Sequence, residues 1–512
     1  MKRDSYISLD GIWKLNGEDI LVPFPPESEA SGYNGVIDEK LIYETTFTFI
    51  PTGKRLLLNF GAVDECCTVY VNGTGVGSHE GGYLPFSLDI TSYVKEGTND
   101  LKVDVTDGLS HVYPYGKQKK DRGGMWYTPV SGIWQTVWLE EVPERYIKSI
   151  KTYTTLNGAD ITYTVSDSDE VLHKTIEIKS PVLWTPENPY LYYEKISYGE
   201  DEVETYFALR EIKTERIGGK NRVTLNGNPV FLHGVLDQGY HKDGIFIPTN
   251  PDEIENDVIR MKSLGFNTLR KHIKIEPEKF YYECDRHGML VIQDMPNSGD
   301  YSFFRDTVLG TIGLSISDKT GLAGKRKEFF ISHCLEVVEY LHNHPSVVGY
   351  TIFNEGWGQF ESDYMYKLLK EKAPDRLFDS TSGWFKQKLS DFDSEHVYFR
   401  TKALKPKSRP FLLSECGGYT LPISERLTTE KKYGYGACAS KEELTDKIVS
   451  MYEKMVIPFI KDGVAGCIYT QLSDIEDEIN GLYTYDREEI KVSEDKMRAL
   501  SLKIYNEIEK IK

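Results

Sequence analysis

Two glutamates each stand directly after a short apolar segment and shortly before a glycine. Residues 348–353 lead into Asn354 and Glu355, and residues 411–414 lead into Glu415. Parallel barrel strands end at a common edge where functional side chains gather, so these two acids are expected to meet there. The alternative is a pair of ordinary surface-loop glutamates. The matching flanks at two strand ends favour the paired arrangement, since a buried carboxylate is costly unless it is paired or hydrogen-bonded.

A pair of carboxyl groups is what glycoside hydrolysis requires. One carboxyl protonates the leaving oxygen while the other attacks the anomeric carbon, and retaining enzymes hold the two about 5–5.5 Å apart. Burial and a neighbouring negative charge raise the pKa of one member, so that it carries a proton near neutral pH. We expect Glu355 to be the acid/base and Glu415 the ionised nucleophile. Asn354, next to the acid, is positioned to bind the sugar 2-hydroxyl.

The elements that would carry these residues follow from hydrophobic periodicity. Residues 1–143 show short alternating strands, a hairpin turn at Asn72-Gly73 and no helical period, which predicts a β-sandwich. Residues 144–214 repeat the strand pattern at a length that suits a small immunoglobulin-like sandwich. Residues 215–512 alternate strand and helix signals. Length and the lack of a glycine-rich phosphate loop favour a (β/α)8 barrel over a doubly wound sheet there.

Composition excludes several classes of function. A formal net charge of −18 over 512 residues disfavours nucleic acid as a partner and argues mildly against a polyanionic substrate. No apolar run is long enough for a signal peptide or a membrane span. Seven cysteines without a CxxC motif predict reduced thiols in a cytoplasmic protein, with neither a disulfide framework nor a zinc site. A homo-oligomer is compatible with the sequence, which leaves the oligomeric state open.

Two further stretches complete a resemblance to glycoside hydrolase family 2, the family of β-galactosidases, β-glucuronidases and β-mannosidases. Residues 128–135 (TPVSGIWQ) are similar to its sugar-binding-domain signature, and residues 184–192 (WTPENPYLY) to its immunoglobulin-like domain. The segments around Glu355 and Glu415 match its acid/base and nucleophile motifs. The resemblance covers nearly the whole chain. It implies a jelly-roll-like β-sandwich, an immunoglobulin-like β-sandwich and a TIM-type barrel that acts as a retaining exo-β-glycosidase. No cofactor or metal ion is expected, since the magnesium-ligand pattern of the long β-galactosidases of the family is not evident in this sequence.

The resemblance implies three further site residues on the first two barrel strands. Asp237 would face the glycone hydroxyls, with a structural loop carboxylate as the alternative. Arg270 would hold Glu415 ionised through a bidentate pair, with a purely structural ion pair as the alternative. His272 would line the sugar, although Lys271 stands where family members often have a serine before the histidine.

Three more residues are implied on the later strands. Trp384 would offer an aromatic face to the sugar, with core packing as the alternative. His396 and Tyr398 would end another strand, and Tyr398 would form a hydrogen bond with Glu415. A satisfied structural histidine is the alternative for His396.

The sugar is inferred from what the chain lacks. The Asn-x-Lys with which β-glucuronidases of this family hold the sugar carboxylate is missing, and residues 471–481 are acidic, which would repel a carboxylate. A neutral glycone, and most simply a β-galactosidase, is therefore the leading prediction. β-Glucuronidase and β-galacturonidase remain alternatives, with a basic residue such as Lys274 as an unrecognised clamp.

Two other classes of protein stay open at this point. A non-catalytic carbohydrate-binding protein is possible on the fold alone, although retention of both glutamates argues against it. A metal-dependent barrel hydrolase would need clustered histidine ligands, and only His342 and His344 lie close together in the sequence. Their expected place is structural, at a helix end that Pro345 terminates.

Overall fold

The structure is a computed structural model that describes residues 1–309, 312, 318, 321–398 and 401–511. Its N-terminal part is a β-sandwich of a four-stranded and a six-stranded antiparallel sheet, ordered β1-β12-β5-β9 and β3-β2-β4-β10-β7-β8, with a short β6-β11 ribbon. Alternating residues of both sheets form one apolar core that contains Trp13, Tyr43 and Phe60. The strands are Tyr6–Ser8 (β1), Gly11–Leu15 (β2), Glu18–Val22 (β3), Lys40–Phe49 (β4), Arg55–Phe60 (β5), Val63–Asp64 (β6), Cys66–Val71 (β7), Thr74–Glu80 (β8), Phe86–Asp89 (β9), Gly97–Thr106 (β10), Gly132–Ile133 (β11) and Val137–Val142 (β12).

A smaller β unit follows, built from antiparallel strands around a separate apolar core. The proline-rich segment after β15 forms no strand and instead attaches this unit to the barrel. Trp184 in that segment is fully buried, and its indole N–H donates to the carbonyl of Asp285 at 2.8 Å. The strands are Ile147–Thr154 (β13), Gly158–Val165 (β14), Ser168–Glu177 (β15), Tyr192–Tyr198 (β16) and Asp201–Phe207 (β17), and a three-stranded sheet under the barrel adds Ile212–Ile217 (β18), Lys220–Leu225 (β19) and Asn228–Pro229 (β20).

The third part is a barrel whose described strands are all parallel and ordered β25-β24-β23-β22-β21-β28-β27-β26. The β25 and β26 edges are joined by side-chain contacts, since the Ser394 hydroxyl donates to Asp379 at 3.0 Å and to the Thr381 carbonyl at 3.2 Å. The two-sandwich and barrel architecture predicted from the sequence is therefore confirmed. The strands are Leu232–Asp237 (β21), Thr268–Lys271 (β22), Leu290–Asp294 (β23), Val347–Asn354 (β24), Leu377–Ser382 (β25), Asp393–Val397 (β26), Phe411–Gly417 (β27) and Val464–Thr470 (β28).

Helices cover the outside of the barrel. They are Glu253–Ser263 (α1), Glu278–His287 (α2), Lys325–Tyr340 (α3), Ser362–Lys372 (α4), Lys441–Met451 (α5), Ile457–Ile460 (α6) and Glu494–Glu509 (α7), with 3-10 turns at Glu29–Ser31, Thr91–Tyr93 and Ser424–Arg426 and π turns at Phe303–Leu309 and Tyr452–Val456. Within the described ranges, no helix is both long and apolar enough to cross a bilayer.

The period-two alternation of the barrel strands decides which side chains face the interior. Leu232 and Leu236 of β21 belong to a cluster to which several barrel strands and the β18–β19 sheet contribute, so they point inward. Val235 belongs to the cluster that contains helix residues such as Val258 and Met261, so it points outward. This parity determines which residues at the upper ends of the strands can reach a substrate.

Candidate active site

The two glutamates predicted to carry the chemistry lie side by side at the upper edge of the barrel. Glu415 is within β27, and Glu355 follows the last residue of β24. One carboxylate oxygen of each, together with a ring nitrogen of His396, lie within 4.8 Å of one another. Glu355 adopts a left-handed backbone conformation with φ of 53°, and Gly356 follows with φ of 79°. A non-glycine residue held in this region stores strain, which is characteristic of functional sites.

Glu415 is surrounded by hydrogen-bond donors. Arg270 donates to its Oε1 at 3.0 Å, and the Tyr398 hydroxyl donates to its Oε2. Burial raises the pKa of Glu415, but the nearby charges of His396 and Arg270 outweigh burial and lower it to about 2. Its carboxylate is therefore ionised at neutral pH, as a nucleophile must be.

Arg270 organises the floor of the site and is completely buried. Its Nε and Nη2 lie 3.0 Å from the two oxygens of Asp294, so its bidentate pair is with Asp294 and not with Glu415 as predicted. Glu415 receives one N–H of the same guanidinium, and Nη2 also donates to Oδ1 of Asn354 at 2.8 Å. One rigid guanidinium fork thus fixes three side chains from three barrel strands.

Asn354 is oriented by that contact. Because its Oδ1 accepts from Arg270, its amide nitrogen is turned away from the guanidinium. Within the described residues this nitrogen has no protein partner, and the side chain is buried. It is thus free to donate to a substrate hydroxyl.

Glu355 has a different environment from Glu415. Its side chain is 13% exposed against 6% for Glu415, and His396 Nδ1 lies 2.8 Å from its Oε1. The Trp384 indole N–H, which was predicted to belong to a sugar platform, donates to the Glu355 backbone carbonyl at 3.1 Å and to the Asp306 carbonyl at 3.2 Å. Trp384 therefore holds the backbone of Glu355 in place, and its ring meets the edge of His396.

His272 also faces the interior. Its Nδ1 lies 2.6 Å from Asp294 Oδ2, which makes Nδ1 the protonated nitrogen that donates to the carboxylate. Burial lowers the pKa of His272 well below its usual value, so the ring is neutral near pH 7. Its Nε2 is then an acceptor, and it is buried without a partner in the described part of the chain. Asp294 itself was not predicted, although it ends β23 in the same way that Asn354 ends β24.

Asp237 is the predicted site residue that the structure does not bring to the glutamates. It has the outward parity of Val235, and its Oδ2 accepts from Lys271 at 3.0 Å. Lys271 in turn lies over the Phe280 ring of α2, outside the barrel. The inward position belongs to the next residue, Gln238, whose amide donates to the Tyr127 hydroxyl and to Gln471, each at 2.7 Å.

Residues 115–128 of the N-terminal sandwich form one wall above the barrel, which sequence analysis did not predict. The Tyr115 backbone N–H donates to the Asn297 carbonyl at 2.8 Å, and its hydroxyl donates to the Gly299 carbonyl at 2.6 Å. Trp126 stacks on Trp357, two residues after the expected acid, with 5.1 Å between ring centroids. No local motif predicts these contacts, because they depend on how two separate domains pack.

Lys274 and the acidic segment at residues 471–481 were both considered in the sequence as influences on the sugar, and both form hydrogen bonds with other groups of the protein. Lys274 donates to the carbonyls of Gly239 and Phe246 and to Glu276, which occupies all three of its N–H groups. It therefore has no donor left for a substrate. In the acidic segment, Glu476 accepts from Arg122 and from a backbone N–H, and Glu478 accepts from Tyr127 and Asn480.

Three family models match this chain over most of its length. The model for the glycosyl hydrolases family 2 TIM barrel domain matches residues 217–483, the family's sugar binding domain matches residues 29–143, and a third family 2 model matches residues 142–210. The chain belongs to glycosyl hydrolase family 2. The resemblance inferred from its motifs is thus confirmed.

Relatives within the family carry different names. A β-galactosidase from Priestia megaterium is 24% identical over 485 residues, a match that covers 80% of this chain and 44% of that protein. The chain spans less than half the length of the first curated relatives that it matches.

Solved structures share the whole fold. A β-D-glucuronidase from Dictyoglomus thermophilum is 18% identical and covers 98% of both chains with a TM-score of 0.77. A β-galacturonidase from Eisenbergiella tayi is 18% identical and covers 97% of this chain and 96% of that one, with a TM-score of 0.71. At this level of identity, the likeness shows the fold.

Proposed function

We propose that this family 2 glycosidase is a retaining exo-β-glycosidase in which Glu415 is the nucleophile and Glu355 the acid/base. The observation that carries the proposal is the placement of the two carboxylates, with oxygens within 4.8 Å of each other and unlike surroundings. That spacing suits direct attack by one carboxylate on the sugar, whereas inverting enzymes leave room for a water between carboxyls about 6.5–9.5 Å apart.

In the first step, a Glu415 oxygen attacks the anomeric carbon and the bond from that carbon to the leaving oxygen breaks. The leaving oxygen takes the proton of Glu355, which is the more exposed of the two carboxyls. The Asn354 amide nitrogen donates to the sugar 2-hydroxyl. The products are the free alcohol and a glycosyl ester on Glu415.

In the second step, Glu355 removes a proton from water, and the water oxygen attacks the anomeric carbon. The ester bond to Glu415 breaks, and the carboxylate charge returns to it. Arg270 and Tyr398 already point their donors at that carboxylate, so no reorganisation is needed when the charge returns. His396 contacts Glu355 through Nδ1, and its Nε2 lies 3.5 Å from Glu415, so one imidazole ring holds the positions of both carboxyl groups relative to each other.

Trapping the intermediate tests the nucleophile. After incubation with a dinitrophenyl 2-deoxy-2-fluoro-β-glycoside, mass spectrometry should find one added fluoroglycosyl group on the peptide that contains Glu415. Glu415→Gln should lose about 10⁴-fold or more in kcat and should not be labelled. Glu425→Gln, an exposed glutamate in the 3-10 turn after β27, is the matched control and should behave as the wild type. A label on another residue, or a product of inverted configuration, would refute the scheme.

The acid/base is tested by leaving group. Glu355→Gln should lower kcat/KM by about 10²–10⁴-fold for poor leaving groups and much less for dinitrophenyl glycosides, which need no protonation. An equal loss for both kinds of substrate would remove Glu355 from this role.

The sugar itself is not decided by likeness, because the names of the relatives include β-galactosidase, β-glucuronidase and β-galacturonidase. β-Galactosidase stays the leading prediction from the sequence. The structure weakens one argument for it, since Glu476 and Glu478 are bonded to the sandwich wall and do not stand free to repel a carboxylate. A cytoplasmic location also stays a prediction, and the sequence leaves the oligomeric state open.

A further inference from the structure

Among the described residues of the sandwich wall, Lys117 is a cation that is not paired with a carboxylate, although its charge helps to lower the pKa of Glu415. Lys117 is half-buried, and its backbone carbonyl accepts from the Tyr127 N–H at 3.0 Å. In the described part of the chain its ammonium group makes no hydrogen bond, ion pair or contact with an aromatic face. The other cations near the site differ in this respect: Arg270, Lys271 and Lys274 are all paired with carboxylates.

The wall brings Lys117 to the sugar side of the barrel. The preceding residue, Gly116, has φ of 69° and donates to the Asn297 carbonyl at 3.2 Å. A Cβ at Gly116 would lie 2.8 Å from the carbonyl oxygen of Ile273, the neighbour of His272, so only glycine permits this approach. This backbone contact therefore brings Lys117 to the part of the site that contains His272. Its charge also acts on His272, because the positive charge of Lys117 is, after burial, the next largest cause of the lowered pKa of that histidine.

Two groups of opposite character, neither with a protein partner among the described residues, thus belong to the same part of the site. Lys117 offers N–H donors and a positive charge, and His272 Nε2 offers a buried acceptor whose tautomer is fixed by Asp294. Arg122, on the same wall, is not a competing clamp, because it is paired with Glu476 at 3.2 Å. A half-buried ammonium beside a neutral acceptor matches a carboxylate that is adjacent to a hydroxyl.

We infer that Lys117 selects an acidic sugar, so that the glycone is a hexuronic acid with its carboxylate on Lys117 and the neighbouring hydroxyl on His272. This inference rests on the proposed glycosidase function and names its substrate class. It assigns the choice of sugar to the N-terminal sandwich, while the barrel supplies the bond-breaking carboxyls.

The test compares nitrophenyl β-glucuronide and β-galacturonide with the corresponding β-glucoside and β-galactoside. The wild type should prefer at least one uronide over its neutral counterpart by about 10- to 100-fold in kcat/KM. Lys117→Met, which keeps the length of the stem, should lower kcat/KM for the uronide by a similar factor, mainly through KM, and should lower kcat/KM for neutral glycosides by a clearly smaller factor. Lys117→Arg should retain most of the preference.

Lys120→Met is the matched control, because Lys120 lies on the same wall with its side chain exposed and pairs with Glu39 at 3.9 Å, and it should leave the preference unchanged. A wild type that hydrolyses a neutral glycoside better than either uronide would overturn the Lys117 inference and leave the glycosidase proposal intact. Equal losses for both classes in Lys117→Met would also overturn it. Failure of the folded wild type to cleave any aryl β-glycoside would instead overturn the proposed function itself.

Discussion

The hydrogen bond from Tyr398 to Glu415 predicts a defect in one step of the reaction. Tyr398→Phe removes only the hydroxyl that donates to Oε2 of the nucleophile, while Arg270 still donates to Oε1 at 3.0 Å. In the first step charge leaves Glu415, so the loss of a donor is tolerated. In the second step charge returns to Glu415, and the missing donor should slow the reaction.

The size of the effect follows from the strength of such bonds. A hydrogen bond to an ionised group contributes about 1.5–3 kcal/mol, which corresponds to a rate decrease of up to about 10- to 150-fold in hydrolysis of the glycosyl ester. The same free energy raises the pKa of Glu415 by about one to two units. From its value of about 2, the pKa would reach about 3–4. The nucleophile stays ionised at neutral pH, so the rate loss at pH 7 reports the second step alone.

Pre-steady-state kinetics with an activated aryl glycoside measure this directly. The variant should release a burst of about one equivalent of phenol per active site, followed by a slow steady state, because the glycosyl ester accumulates. Its kcat should fall far more than its kcat/KM. Tyr350→Phe is the control: this β24 tyrosine is buried, its hydroxyl has no hydrogen-bond partner within the described residues, and no burst should appear.

A different kinetic pattern would refute the reasoning. If kcat and kcat/KM fell in the same proportion without a burst, Tyr398 would not act on the returning charge. If the acid-side pKa in the profile of kcat/KM against pH were also the same in Tyr398→Phe as in the wild type, Tyr398 would not stabilise the ionised form of Glu415.

Three further outcomes follow from the structure. Lys274→Met leaves buried acceptors unpaired and should lower the free energy of unfolding, measured in urea, by about 3–5 kcal/mol. The control Lys279→Met loses only a partly exposed ion pair with Asp252 at 3.7 Å and should change that free energy by less than about 1 kcal/mol. Trp384→Phe removes the indole N–H that holds the Glu355 carbonyl, and should lower kcat/KM more for poor than for good leaving groups; an equal loss for both would contradict this positioning role. Because the pKa of Glu415 is about 2, its ionised, active form persists as the pH falls to about 3. The wild-type profile of kcat/KM against pH should therefore show no acid limb from the nucleophile near the usual carboxyl pKa of about 4.3. A nucleophile limb found there would contradict the assignment.

The sequence predicted the fold and the placement of the two glutamates because both depend on local patterns. Glu355 and Glu415 were located by the rule that barrel chemistry follows strand ends, and the structure places both there. Helix details were less accurate. Asn250 followed by Pro251 is a typical helix start, but the first barrel helix begins at Glu253, and Asn250 Oδ1 instead accepts from the Asp252 N–H at 3.1 Å.

The orientation of side chains could not be predicted to the same accuracy. The apolar run at residues 230–233 indicates only the start of the first barrel strand, which spans Leu232–Asp237, and the alternation along this longer strand decides which side chain at its end faces inward. Asp237 consequently lies outside, and Gln238 takes the inner place. Lys117 had no sequence signal, because its position depends on a contact between domains that lie more than a hundred residues apart in the chain.

The stacking of Trp126 on Trp357 has a consequence for recombining family members. A chimera that joins this barrel to another sandwich would expose the Trp357 face and leave the Asn297 carbonyl without the Tyr115 donor. Such a chimera should be less soluble, and its cleft would lack one wall. Compatible exchange requires that residues 115–128 travel with the barrel and not with the domain that contains them in the sequence. The segments that must be exchanged together to preserve the cleft are therefore discontinuous in the sequence, and they do not coincide with the boundaries of the folded domains.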